Sequence, residues 1–215
     1  MKDARVTKDA TAAPVTGTPG KRQMRADAQR NEDAVLAAAK SVFATSGVDA
    51  TVREIAARAG VGLGTLYRRF PNRAGLIAAV FRREVDDCTA EAAAMAAKHP
   101  PGVALGLWLR RYADFIATKR GLAAALHSGD PAFETLPAYF RASFEPALTG
   151  LLRSAEAAGQ VRPGTAPYDL LRAIGNLSVA SGADGPGHTR RMVDLLIHGL
   201  RSDAASADPT LANPG

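Results

Sequence analysis

"AGVGLGTLYRRFPNRAGL", residues 59–76, sets glycines at 60, 62 and 64 directly before a short run carrying Thr65, Tyr67, Arg68 and Arg69. Gly60 is a natural left-handed stop for a helix arriving from Thr51, and Val61 follows as the small apolar plug of a turn. A new helix starts almost at once and lasts about two turns, because Pro71 forces Phe70 out of helical geometry. Upstream, "TVREIAARAG" opens on a Thr-x-x-Glu capping box made by Thr51 and Glu54. Two short helices joined by a glycine turn of about three or four residues make a helix-turn-helix, whose second helix enters a DNA major groove.

That reading assigns sides. Ile55 and Ala56 on the earlier helix and Leu66 and Phe70 on the later one are placed inward, which leaves Thr65, Arg68 and Arg69 outside as donors to phosphates and base edges. Gly62 and Gly64 keep the helix start slim, so backbone N–H groups can approach a phosphate that the helix dipole also favours. Asn72 caps the next helix and puts Arg73 in its first turn, where a cation opposes the dipole, so a partner outside that helix is expected.

Composition agrees. The chain has 215 residues, 47 % of them hydrophobic, enough for a real core. Its apolar stretches are alanine-rich and interrupted well short of the roughly 20 positions that span a bilayer, so no membrane partner is expected. The basic N-terminus lacks the apolar segment of a secretory signal, and the lone Cys88 has no disulfide partner, which makes the cytoplasm the expected location. Cys88 is read as a small buried side chain rather than a redox sensor. His99, His127, His188 and His198 show no paired ligand spacing, so neither metal nor cofactor is expected. Residues 1–73 carry 13 Lys and Arg against 7 Asp and Glu, whereas residues 74–215 carry 14 of each; the whole net charge of +6 therefore lies in the first third. Segregated this way, the charge is either a footprint for a polyanion or a solubilising tail.

Helical periodicity runs through the middle of the chain, as in Val35, Leu36, Ala39, Val42 and Phe43, and no segment alternates like a strand. The expected fold is all-α: a disordered basic arm over 1–25, a helix-turn-helix domain over 26–72 whose first helix spans about 27–46, a second helical domain over 73–202, to which the resemblance below gives effector binding and dimerisation, and a flexible tail over 203–215.

Residues 31–81 resemble the TetR family of bacterial transcription regulators, carried by Phe43, Gly47, Thr51, Ile55, Ala56, Gly60, Val61, Thr65, Tyr67, Phe70 and Leu76. The resemblance implies a homodimeric repressor with a three-helix DNA-binding domain, a long fourth helix, and a ligand-binding domain whose last two helices form the dimer's four-helix bundle. It puts Thr65 and Tyr67 on the recognition helix, with Tyr67 reaching a phosphate and Thr65 near phosphate or base, and gives Thr51 both the cap and a phosphate. Arg73 touches the DNA backbone. Gly62 and Leu63 depart from a pattern that often has a Ser/Thr cap followed by a basic or polar residue, which shifts base reading toward Arg68. Arg68 and Arg69 otherwise contact phosphate or are simply solvated. The implied partners are a palindromic double-stranded operator, a second copy of the chain and an unknown small-molecule effector that shifts the population toward a non-binding conformation.

In the second domain, Trp108, Tyr112, Phe115, His127, Tyr139, Phe140 and Phe144 are the candidates for lining an effector pocket, although aromatics at helical spacing more often build a core. His127 is read as a surface group at a helix end or a polar contact. Leu170, Leu171, Ile174 and Leu177 form one apolar stripe, and Val193, Leu196, Ile197 and Leu200 another, on helices at about 166–181 and 188–201; each serves the subunit core or a dimer partner. The sequence contains no His-Glu-x-x-His, P-loop, Gly-x-Ser-x-Gly or Cys–His arrangement, so enzyme chemistry is not expected. The alternative class is an architectural nucleic-acid-binding protein without an effector.

Overall fold

The computed structural model describes residues 20–117, 129–179 and 185–201. Among the described residues the fold is all-α, with one isolated antiparallel bridge between Val161 and Arg201. The elements are α1 (Gly20–Ser46), α2 (Val52–Ala59), α3 (Leu63–Arg69), α4 (Arg73–Lys98), α5 (Pro101–Ala117), α6 (Pro131–Glu134), α7 (Leu136–Ala157), α8 (Pro167–Val179) and α9 (Gly185–Leu200).

Two hydrophobic clusters organise them. The first is small-chained: Val35, Leu36, Ala39 and Val42 of α1, Ile55 and Ala56 of α2, and Leu66 with Phe70 around α3. The second is built from α4, α5, α7, α8 and α9 around Trp108, Leu109, Phe144, Leu148 and Ile174. α4 belongs to both, since Leu76 and Val80 enter the first cluster while Ile77, Phe81, Val85 and Cys88 enter the second. Its 26 residues make a rod of about 39 Å joining the two cores.

The expected punctuation holds where the chain turns. Gly60 lies at φ 68° and ψ 26°, and the amides of Gly60 and Val61 donate to the carbonyls of Ala57 and Ala56, which closes α2. α4 ends at His99 because Pro100 follows, and α7 ends where Gly159 takes φ 68° and Gln160 N–H reaches the Ala155 carbonyl at 3.0 Å.

Two boundaries differ from expectation. α1 begins at Gly20 rather than near 27, so residues 20–25 are helical rather than part of a disordered arm. Gln23, Met24, Arg25 and Ala26 are good helix formers, and the Arg30–Asp27 and Gln29–Asp33 pairs brace the following turns. α9 begins at Gly185, inside the expected loop, since Pro186 suits a first helical turn. The rest of the expected arm, the tail over 203–215 and His127 lie outside the described residues.

Candidate nucleic-acid interface

The presentation of α3 follows from its two anchors. Leu66 is 1 % exposed and Phe70 6 %, so they pin the helix to the first core. The opposite side then faces out: Tyr67 is 48 % exposed, Arg68 and Arg69 are exposed, and Thr65 is half-buried. Arg68 makes no ion pair or side-chain hydrogen bond among the described residues, which leaves its planar fork available.

Thr51 sits at the start of α2, where its Oγ1 accepts the Glu54 amide at 3.2 Å. The oxygen is used as a cap while the hydroxyl hydrogen stays available to an acceptor, so one side chain can both start the helix and bind a phosphate. α3 has Gly62 at its N-cap with no side-chain cap, as expected from the missing Ser/Thr. Leu63, the other departure, packs half-buried against the first core. Neither Gly62 nor Gly64 has a positive φ, and a Cβ added at either would meet nothing within 4 Å. Neither the backbone conformation nor the chain's own packing requires glycine at these two places.

Two predicted contacts are tied up within the protein. Arg69 donates from Nε and Nη2 to the two carboxylate oxygens of Glu32 on α1 at 2.7 and 2.8 Å, and this partner holds its guanidinium above the ordinary range. Arg73 donates to the Val48 carbonyl in the loop between α1 and α2. The partner expected for Arg73 outside its own helix is thus at least partly this carbonyl. α1 runs beside α3, and the groove between them, about 350 Å³, is lined by Met24, Asp27, Asn31, Glu32, Thr65 and Arg68 among others. The local sequence carried no sign of Glu32, because a partner 37 residues away has no spacing signature.

The aromatic candidates of the second domain separate by depth. Trp108, Phe144, Phe115 and Tyr112 are buried, with Phe144 5.0 Å from Tyr112 and 5.4 Å from Phe115 between ring centroids. Their polar atoms are satisfied internally: Trp108 Nε1–H donates to the Cys88 carbonyl at 2.9 Å and Tyr112 Oη–H to the Leu171 carbonyl at 3.5 Å. Burial raises the Tyr112 phenol above its usual range and pushes the Cys88 thiol up to about 11, in keeping with a buried, unreactive cysteine. Tyr139 and Phe140 are only half-buried. Tyr139 donates to Asp86 on α4, and Arg82 lies 5.9 Å over its ring while donating to Thr135 Oγ1 at 2.7 Å.

The apolar stripes of α8 and α9 lie against the subunit's own second core to different depths. Leu170, Ile174, Val193 and Ile197 are buried in the subunit's own second core, whereas Leu177, Leu196 and Leu200 are half-buried at its edge. Periodicity identifies an apolar side without saying which neighbour covers it, and here α5 packs against both helices and α7 against α8. Among the described residues, the exposed large apolar side chains of the two helices are Leu195, at 63 %, and Tyr168, at 36 %.

Residues 35–80 match the family model for bacterial regulatory proteins of the tetR family, and residues 100–202 match the C-terminal domain model of SbtR-like transcriptional regulators. The TetR transcriptional regulator SCO0520 from Streptomyces coelicolor is 37 % identical, with 80 % of this chain and 98 % of that one covered at a TM-score of 0.67. A TetR regulatory protein from Mycobacterium vanbaalenii is 34 % identical, with 83 % and 99 % covered at a TM-score of 0.63. The chain belongs to the TetR family of transcriptional regulators. Among curated proteins, none matches this sequence. TetR regulators bind DNA and small-molecule ligands and act as dimers. Among the described residues of this member, no helix is long and apolar enough to cross a membrane.

Proposed function

We propose that this TetR regulator is a repressor that binds a palindromic duplex as a homodimer and leaves it when a small molecule binds the second domain. The observation that carries the reading is the division of α3: Leu66 and Phe70 are buried while Tyr67 and Arg68 are exposed, as is the cap Thr51. Thr51 and Tyr67 take phosphates, Arg68 and Thr65 face the groove, and Gly64 lets the backbone come close. An arginine donating bidentately to guanine supplies about 1–3 kcal/mol of discrimination.

Dimerisation uses the outward faces of α8 and α9, around Leu195 and Tyr168, because the inward stripes are consumed by the subunit core. Two reading heads must then span half-sites about 34–36 Å apart, or a multiple of that. Effector release works through α4, whose residues belong to both cores: a ligand that moves one end of a rigid helix moves the other. Of the aromatic set, Tyr139 and Phe140 retain surface to offer a ligand.

The test is selection of bound duplexes from a random pool by the purified protein, followed by binding of the recovered sequence over a salt series. A palindromic consensus bound at least about a thousandfold more tightly than random DNA supports the reading. Binding without a consensus points to an architectural protein instead.

A further inference from the structure

The expected set of DNA-contacting cations on α3 is Arg68 and Arg69, yet the structure treats these neighbours differently. Arg68 is exposed and unpaired among the described residues, whereas Arg69 is held in a two-point ion pair by Glu32 at 2.7 and 2.8 Å. The Glu32 side chain is 19 % exposed, so its carboxylate is anchored at the α1 wall rather than swinging in solvent. The planar guanidinium is therefore fixed by two bonds in one orientation. Arg69 also lies 5.8 Å over the Phe70 ring, a further contact inside the protein.

We infer that Glu32 is a specificity-determining residue: it neutralises and holds Arg69 at the DNA-facing surface, so that this cation adds no sequence-independent phosphate contact and Arg68 reads alone. The inference rests on the DNA-binding function proposed above. Its physical basis is that each phosphate neutralised by a cation contributes the same affinity to every sequence, and so raises random and specific binding together. A guanidinium already paired with a carboxylate brings no net charge to the polyanion. Removing the negative partner would release one, to the benefit of random DNA and at the expense of discrimination among competing sites.

The experiment compares wild type, Glu32→Gln, Arg69→Gln and the double variant on two probes, a random-sequence duplex pool and the duplex recovered by selection. Glu32→Gln keeps the side chain's shape and one acceptor oxygen while removing its charge. Its salt slope on random duplex should steepen by about 0.9, so that between 50 and 200 mM salt it loses about 3.5-fold more affinity than wild type does. Its ratio of selected to random affinity should fall. Arg69→Gln alone leaves the Glu32 carboxylate uncompensated, so its slope should be no steeper than the wild-type value, and the double variant, with both charges gone, should return to that value. Thermal melts confirm that each variant is folded. An unchanged slope in Glu32→Gln, a steeper slope in Arg69→Gln, or a double variant that stays steep would each overturn the inference. Failure of the wild type itself to bind either probe would instead overturn the DNA-binding reading, before any variant is compared.

Discussion

The two cores of this regulator use their side chains in opposite ways. In the first, short aliphatic chains from α1, α2 and α3 fill the interior, and the groups with chemistry, Thr51, Thr65, Tyr67 and Arg68, are left at the surface. In the second, the groups that looked chemically promising, Trp108, Tyr112, Phe115 and Phe144, are themselves the interior. A DNA-reading head must present polar groups to a partner too large to enter the protein. A helical domain of this size must bury large apolar surface, and aromatic rings do so effectively. A conspicuous residue is therefore a functional clue in the head and a packing clue in the second domain.

The largest effect that could break this contrast is at Trp108. Trp108→Ala should cost about 3–5 kcal/mol of stability in urea unfolding, since it empties a fully buried site and leaves the Cys88 carbonyl without its donor. A variant of nearly unchanged stability would mean that the ring lines a pocket rather than a core. Next is Arg68→Ala, expected to leave the melting temperature unchanged while relaxing discrimination at one base position by about 1–3 kcal/mol, read by competition among single-base variants of the selected duplex.

A smaller change sharpens the contrast through opposing signs. Gly64→Ala should stabilise α3 by about 0.5 kcal/mol, because alanine loses less backbone entropy than glycine in the first turn and the added Cβ meets nothing in the protein. The same methyl should weaken duplex binding if the backbone approaches a phosphate there; tighter or equal binding would show that the glycine serves no DNA contact.

The effect that is smallest at neutral pH, where it vanishes, is a pH dependence in the second core. The Cys88 thiol is raised by burial from 9.0 to about 11. A raised pKa stabilises fully below the unfolded value and is lost as pH rises through the folded one, so the urea midpoint should fall between about pH 9 and 11. Cys88→Ala should flatten part of that fall, with the buried Tyr112 phenol adding its own share in the same direction. At pH 8 a thiol reagent should label Cys88 only after unfolding; rapid labelling of the native protein would contradict its burial.

How much was legible in the sequence follows the range of the interactions involved. The cap at Thr51, the stop at Gly60, the break at Pro71 and the cap at Asn72 are each settled by a few neighbouring residues, and each is found where local rules place it. The start of α1 is not legible locally, because composition near the terminus balances helix formers against Gly, Pro and Thr only a few residues earlier. The stripes of α8 and α9 are legible as apolar, but their neighbour is not, since period alone does not distinguish α5 from another subunit.

By itself, then, the sequence determined an all-α chain with a helix-turn-helix near its start, because helix periodicity, caps and glycine turns act over one or two turns of backbone. Only the tertiary structure decided that Glu32 holds Arg69, that Val48 receives Arg73, and that the apolar stripes and most of the aromatics belong to the subunit's own core. Those outcomes depend on which distant surfaces meet, and burial and charge pairing are properties of the surfaces that meet rather than of either residue alone.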